Sequence, residues 1–429
     1  MNDQVKYYTK NNLYTHLMMN RIERAFHLSE DELIAEYEKR FLNVFQRAFQ
    51  FSKFYQSIYK KAGVHINDIK SLEDIVKLPI INRPMIQDQE DEIYNGPKWG
   101  KTKGLTSGTS GTPLTIHRHF FDVCTEHAYV RHYRTKNGFK NRQPLLSLRG
   151  VLGKSDPYYY FKPGNILYVS IPNLNKDTIK MYHDLITKFN PVAVEAFPSY
   201  LNKFCSELES ANLAMQIPFA FTSSETLLSW QRENIEHKLN CKLFDWYGNA
   251  ERSILLAQDE HGEYKPAPLY SINEFEKEHI ITTALTHERF PLIRYQVNDT
   301  VQVSSHDFLK NLVNPEIIKI EGRASDNIIL KDGSIVGCID HAFKGVSHLH
   351  MAQVHQYNVN EPIIIKLVTK SEFSHQEEQL LISNWRRMVG FEMDLSIEYC
   401  KKEDLTYFTG KKFQLIIKQD PNLPRRNNA

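Results

Sequence analysis

No apolar run in this chain approaches the roughly 18 to 20 residues that a membrane-crossing helix needs. The stretch Met1 to Lys10 is polar and lacks the apolar centre of a secretion signal. Cysteine is scarce, with five in 429 residues: Cys124, Cys205, Cys241, Cys338 and Cys400. Their odd number, wide scatter and lack of C-x-x-C spacing exclude a disulfide framework and a zinc knuckle. They read as reduced thiols of a cytoplasmic protein. An excess of one charge is missing as well. The net charge is +2 and no long basic run occurs, which argues against nucleic acid as a partner. What remains, 41% apolar and 24% charged residues, is the composition of a globular chain long enough for two or more domains. There is no internal repeat.

The most distinctive stretch is Thr106-Ser107-Gly108-Thr109-Ser110-Gly111-Thr112-Pro113. Its glycines let the backbone turn several N–H groups into one concavity, and its hydroxyls add donors, the makings of an anion-binding nest. It lacks the lysine of the G-x-x-x-x-G-K-[ST] phosphate loop. Composition alone equally fits a flexible linker. Leu114-Thr115-Ile116 follows, short and β-branched, so the loop is expected to feed a strand.

Upstream, Ser29 and Glu32 form a capping box, and Leu33, Tyr37, Phe41, Val44, Phe45 and Ala48 recur at helical spacing. One long helix to about Lys61 is predicted. From Leu114 to about Leu285, strand-like runs (165–170, 192–194) alternate with helical ones (176–189, 200–212, 229–239), the pattern of a layered α/β fold. Strands and turns follow at 280–283, 292–295 and 301–303. A boundary is placed around Gly322-Arg323-Ala324-Ser325-Asp326. Beyond it, strands near 327–336, 351–357, 362–369, 394–399 and 413–418 with a helix over 374–388 make a small α+β unit.

Several constellations carry chemistry. Asp245-Trp246-Tyr247-Gly248-Asn249-Ala250-Glu251 follows a strand and offers an aromatic ring, a turn glycine and a carboxylate, a set that suits a ligand crevice or equally a surface turn. Asp299 after Arg294-Tyr295 suits two ribose hydroxyls, or an ordinary turn. Arg323 offers a guanidinium for a phosphate or ribose. Lys411 in Thr409-Gly410-Lys411-Lys412 offers a mobile point charge, or a solvated lysine. His117 with His119, and His348 with His350 and His355, have metal-like spacing, but no cysteine or carboxylate completes a four-ligand set.

In order along the chain stand the hydroxyl-glycine loop, Ser223-Ser224-Glu225-Thr226, Tyr247 to Glu251, Arg294-Tyr295 with Asp299, Gly322-Arg323 with Asp326, and Gly410-Lys411. This series resembles the adenylate-forming superfamily of acyl-CoA synthetases, and within it phenylacetate–CoA ligase and the adenylate-forming proteins of capsular polysaccharide clusters. The resemblance spans nearly the whole chain. It implies an α/β fold, with a layered large N-terminal domain over 1–325 that binds ATP and an acid, and a small mobile α+β C-terminal domain over 326–418 that turns on a hinge at Asp326. The stretch 419–429, with Pro421, Pro424, Arg425, Arg426 and Asn427, is read from its own residues as a disordered tail. The resemblance also implies that Thr106 to Thr112 cradle the ATP phosphates, that Ser223, Ser224, Glu225, Thr226 and Tyr247 border the adenine with Gly248 also at the nucleotide, and that Asp299 binds the ribose hydroxyls with Arg323 nearby. Glu251 is then the Mg²⁺ ligand, Lys411 the catalytic lysine, and Phe197-Pro198-Ser199-Tyr200 the border of the acyl pocket. Ala250 departs from the pattern, because many relatives carry a Ser or Thr hydroxyl there. The implied reaction makes an acyl-adenylate and passes the acyl group to coenzyme A. A sugar or amine acceptor is the alternative, and a non-catalytic nucleotide-binding scaffold is the alternative of another class. A homodimer is compatible with all three.

Overall fold

The computed structural model describes residues 3–418 except 107–113, 151, 153–155, 277–278, 298, 305–307, 322–327, 334, 337–338, 344, 347, 392, 409–411 and 414. The chain opens with helices Asp3–Lys10, Leu13–Ala25, Glu30–Phe51 and Lys53–Ala62. The predicted single helix to Lys61 is therefore two. Ser52 ends the first and caps the second: it takes extended backbone angles, accepts from the Tyr55 N–H at 3.5 Å, and donates to the Glu92 carbonyl at 3.1 Å. The Ser29–Glu32 capping box is present as predicted.

β1 (Lys101–Thr106) and β2 (Leu114–His119) pair antiparallel, with Thr106 opposite Leu114, so the hydroxyl-glycine stretch lies between the arms of a hairpin. The strand expected at Leu114 is β2. An eight-stranded sheet follows: β3 (Leu145–Arg149), β4 (Tyr158–Phe161), β5 (Ile166–Ser170), β6 (Ala193–Ala196), β7 (Phe219–Ser223), β8 (Lys242–Gly248), β9 (Leu255–Gln258) and β10 (Tyr264–Pro266). Its order is β10-β9-β8-β7-β6-β3-β5-β4. The five strands β8, β7, β6, β3 and β5 run parallel, and antiparallel strands close both edges. Helices Ile179–Phe189, Pro198–Ser210 and Ser229–Leu239 supply the crossovers that parallel pairing requires. Their apolar faces bury Tyr182, Ile186, Leu201, Phe204 and Ile235 against Leu146, Val169, Val194 and Ala220 of the strands. β3 is entered first but lies inside the sheet, between β5 and β6, which makes a topological switch point at its carboxyl end.

A second core joins the N-terminal helices (Tyr37, Phe41, Phe45, Tyr55) to β2 and to a three-stranded sheet of β11 (Ser271–Phe275), β12 (Ile280–Ala284) and β13 (Tyr295–Val297). A strand was expected from 292, yet β13 starts at Tyr295, because Arg294 takes a left-handed φ of 50°. Its guanidinium holds Glu274 at 2.9 and 2.6 Å and donates to the Val76 and Leu78 carbonyls at 3.0 and 2.6 Å. Toward the C-terminus, strands Leu349–His355, Ile363–Thr369, Leu395–Tyr399 and Ile416–Ile417 form a four-stranded sheet. The helix His375–Val389 packs on it through Leu381 and Trp385, as the α+β reading anticipated.

Candidate active site

β6, β7 and β8 are neighbours and run parallel, so the segments that leave their carboxyl ends emerge side by side. These are Phe197 to Tyr200, Ser224 to Thr226, and Tyr247-Gly248 with the turn beyond. Glu225 ties the first two together. Its carboxylate accepts from the Ser199 backbone N–H and hydroxyl, both at 3.0 Å. Ser199 stands in the first turn of the helix Pro198–Ser210, where N–H groups lack helical partners and a negative charge is favoured. Ser224 has a left-handed φ of 73°, and both it and Thr226 are exposed. Phe197 and Tyr200 pack with ring centroids 5.2 Å apart.

The turn between β8 and β9 is set by Asn249. Its side chain accepts from the Ser253 N–H at 2.9 Å and donates to the Ser253 hydroxyl at 2.8 Å, while its carbonyl accepts from the Arg252 N–H at 3.0 Å. Gly248 sits tightly here, since a Cβ would lie 3.2 Å from the Ile254 carbonyl oxygen. The turn presents Glu251, only 8% exposed. Its Oε1 accepts from Arg83 Nη1 at 3.1 Å and from the Tyr295 hydroxyl at 3.3 Å. Both donors arrive through one bridge, because Ile81 pairs in parallel with Tyr295 and Arg83 opens the short helix just after it. Asp299 follows β13, and the Tyr247 hydroxyl donates to its Oδ2 at 2.7 Å. The two residues expected at the adenine and the ribose are thus joined directly.

Behind the crevice, Asp245 is buried. It accepts from Thr222 at 2.5 Å and from the Tyr264 hydroxyl at 2.6 Å, and burial raises its carboxyl from 3.8 to about 6 against the pull of those donors and of Arg232. At the switch point Glu195 of β6 receives Arg134, Arg149 and Ser147. Burial opposes its charge, but the two guanidiniums and the hydroxyl prevail and hold it far below the ordinary carboxylate range.

Thr106 is the last residue of β1. Ser107, Gly108, Thr109, Ser110, Gly111, Thr112, Arg323, Asp326 and Lys411 lie outside the described residues. Glu251, Asp299, Tyr247, Gly248, Ser224 to Thr226 and Phe197 to Tyr200 fall along three strand ends and β13. Sequence reasoning missed Arg83, Arg118 and the Thr222–Asp245–Tyr264 set, because nothing local marks a residue whose partner is distant in the chain. His117 faces Asp91 at 3.0 Å and His348 faces Glu377 at 3.0 Å. Among the described residues no group of three or more His, Cys, Asp or Glu could hold a metal. A hard cation such as Mg²⁺ needs no such cage, because one carboxylate with substrate phosphates suffices, and Glu251 fits that mode.

No family model matches the chain. Protein CapK of Staphylococcus aureus is 23% identical over 288 residues, 64% of either chain, so this match spans slightly less than two thirds of that relative. A phenylacetate-coenzyme A ligase of Pseudomonas putida is 22% identical over 361 residues, 78% of this chain and 81% of the other. Among solved structures, 2-hydroxyisobutyryl-CoA ligase in complex with 2-HIB-AMP and CoA in the thioesterification state matches with a TM-score of 0.59 over 91% of each chain, at 13% identity.

Proposed function

We propose that the chain is a member of the adenylate-forming superfamily, a reading that its similarity to Protein CapK and to the phenylacetate-coenzyme A ligase supports, and that it activates a carboxylic acid with ATP and passes the acyl group to coenzyme A. The observation that carries this reading is the convergence of Glu251, Asp299–Tyr247 and the Glu225–Ser199 tie at the carboxyl ends of β6 to β8 and at β13.

In the first half-reaction a carboxylate oxygen attacks the α-phosphorus of ATP, the bond from that phosphorus to the bridging oxygen of the β-phosphate breaks, and pyrophosphate leaves. In the second, the thiol of coenzyme A attacks the acyl carbon, AMP leaves, and the thiol proton is released. Little covalent work falls to the protein, so rate comes from positioning and charge neutralisation. Asp299, oriented by Tyr247, accepts from the ribose hydroxyls. The hairpin loop donates N–H and hydroxyl groups to the phosphates. Glu251 is held in place by Arg83 and Tyr295 and, as a buried carboxylate, is the residue that would hold Mg²⁺. When bound, that ion neutralises phosphate charge. Lys411 supplies a cation to the α-phosphate. Residues 1–325 form the large unit and 326–418 the small one, which swings about Asp326, and the protein works in the cytoplasm.

A second reading rests on the resemblance to the capsular polysaccharide branch and on the match to Protein CapK: the acceptor is then a sugar or amine. One experiment separates these readings. A panel of carboxylic acids is offered with Mg-ATP and hydroxylamine, which traps an acyl-adenylate whatever its natural acceptor. Hydroxamate from one acid, with AMP release accelerated by coenzyme A, is the expected result. Hydroxamate without that acceleration transfers the proposal to the sugar or amine acceptor, and no hydroxamate from any acid defeats both readings.

A further inference from the structure

Unpartnered buried polar atoms gather on one side of the Glu251 turn. They include Arg118 Nε, Arg252 Nη1, Thr286 Oγ1 and both ring nitrogens of His287, none of which meets a hydrogen-bond partner among the described residues. Buried N–H groups are nearly always paired, so such a concentration marks a place where something is received. The elements explain how it arises. Arg118 leaves β2 and lies flat on Gly104 of β1, where a Cβ would come 2.4 Å from its Cζ and displace the guanidinium. Arg118 Nη2 donates to the Ala250 carbonyl at 2.5 Å. Two residues on, Arg252 is turned inward by a left-handed φ of 58°. Glu126 pairs with it only loosely, standing 3.9 Å from Arg252 Nε and accepting from the Tyr270 hydroxyl at 2.5 Å. Burial first, and then the charge of Arg252, bring the Arg118 guanidinium down to about 10. His287, fully buried, is kept neutral by burial and by the same two cations.

Two half-satisfied guanidiniums beside each other call for an anion with several acceptor oxygens. They stand against the strand that ends at Thr106 and beside the turn that carries Glu251. We propose that Arg118 and Arg252 form an oxyanion site that takes the pyrophosphate end of the nucleotide. The assignment rests on the acid-activation reading for its place in the reaction, but binding is testable without any acid. Arg118 does a second job there: by bracing the Ala250 carbonyl it couples the phosphate site to the position of Glu251.

The test is calorimetric titration of the full chain with inorganic pyrophosphate, with wild type, Arg118→Gln, Arg252→Gln and the corresponding lysine variants. Wild type is expected to bind, each glutamine variant to bind at least about tenfold more weakly, and Arg118→Lys to recover part of the loss, since lysine keeps the charge but not the fork. In acid-dependent pyrophosphate exchange, the KM for pyrophosphate should rise while the KM for the acid holds, a split that a merely structural arginine does not give. Wild type without pyrophosphate affinity, or folded glutamine variants within twofold of wild type, overturns the site. If a glutamine variant does not fold, the lysine variants decide: pyrophosphate affinity and KM both unchanged in them overturn the fork. Arginine-dependent pyrophosphate binding in a protein that gives no hydroxamate with any acid upholds the site and strikes only the reaction assigned to it.

Discussion

Asp299 shares one of its oxygens with the Tyr247 hydroxyl, a charge-assisted bond of 2.7 Å. Replacing the carboxylate removes this anchor and, with it, the proposed ribose acceptor. Asp299→Ala should weaken ATP binding by about 1.5–3 kcal/mol, the range for hydrogen bonds to a charged group, and calorimetry of Mg-ATP binding checks it. Asp245 gives a second expectation, on stability. The folded protein keeps its proton up to about pH 6, whereas the unfolded chain releases it near 3.8. Its contribution is therefore full below 3.8 and is lost as the pH rises through about 6. The displacement is worth on the order of 3 kcal/mol. Asp245→Asn cannot ionise, so its melting temperature should gain on wild type between about pH 4 and about pH 7. A difference that does not change with pH would remove Asp245 as the source. That Tyr247, Glu251 and Asp299 stand at or just beyond strand ends was legible from the strand-like runs before them. Asp245, two residues before Tyr247, was not. Its raised carboxyl comes from burial, and its partners Thr222 and Tyr264 stand 23 and 19 residues away in sequence, so the fold alone reveals both.

The element that fixes the crevice is β6 beside β3, where Glu195 receives guanidiniums from β3 and from the helix Phe120–Lys136. Removing its charge leaves Arg134 and Arg149 facing each other. Glu195→Gln should be destabilising by up to about 3 kcal/mol, less than a fully buried ion pair because the Arg149 side chain is half exposed, and denaturant unfolding measures it. Elements were read well where periodicity was strong: the helices at 179–189 and 229–239 and the strand at 166–170 lie within a few residues of the expected bounds. The break at Ser52 was missed because the apolar repeat runs on through Phe54, Tyr55 and Tyr59, all buried. What stops the helix is a tertiary contact, the hydroxyl of Ser52 on the Glu92 carbonyl, 40 residues away. The strand expected at 292 shrank for a like reason, since Arg294 turns away to reach distant carbonyls.

At the scale of the whole molecule, the sheet order was not legible, because alternation of strands and helices does not say which strand enters the middle. The C-terminal unit was legible as α+β, and it touches the rest at identifiable points. Lys203 meets Asp332 at 3.2 Å, and a Cβ on Gly150 would lie 3.4 Å from the Arg387 carbonyl and 3.5 Å from the Tyr200 hydroxyl. The Lys411 proposal belongs to this scale, because it assigns that residue to the proposed small unit over 326–418. Lys411→Ala should slow acid-dependent pyrophosphate exchange by about 10²–10³, the cost of losing one charge that stabilises the transition state, and leave ATP affinity largely intact. Exchange at the wild-type rate would remove Lys411 from the mechanism.

The Arg294 clamp also bears on the birth of the protein. Leu78 waits for a partner 216 residues further along. Tyr55 waits longer: its hydroxyl donates to Pro291 and accepts from the Ile293 N–H, 236 and 238 residues away. At a synthesis rate of about 5–20 residues per second, that interval lasts on the order of ten to forty seconds. Throughout it, the faces of the N-terminal helices that carry Phe41, Phe45 and Tyr55 have left the ribosome while most of the chain that covers them has not yet been made. The N-terminal helices therefore wait far longer for the chain that buries them than the strands of the four-stranded C-terminal sheet, which all lie within 349–417, wait for one another.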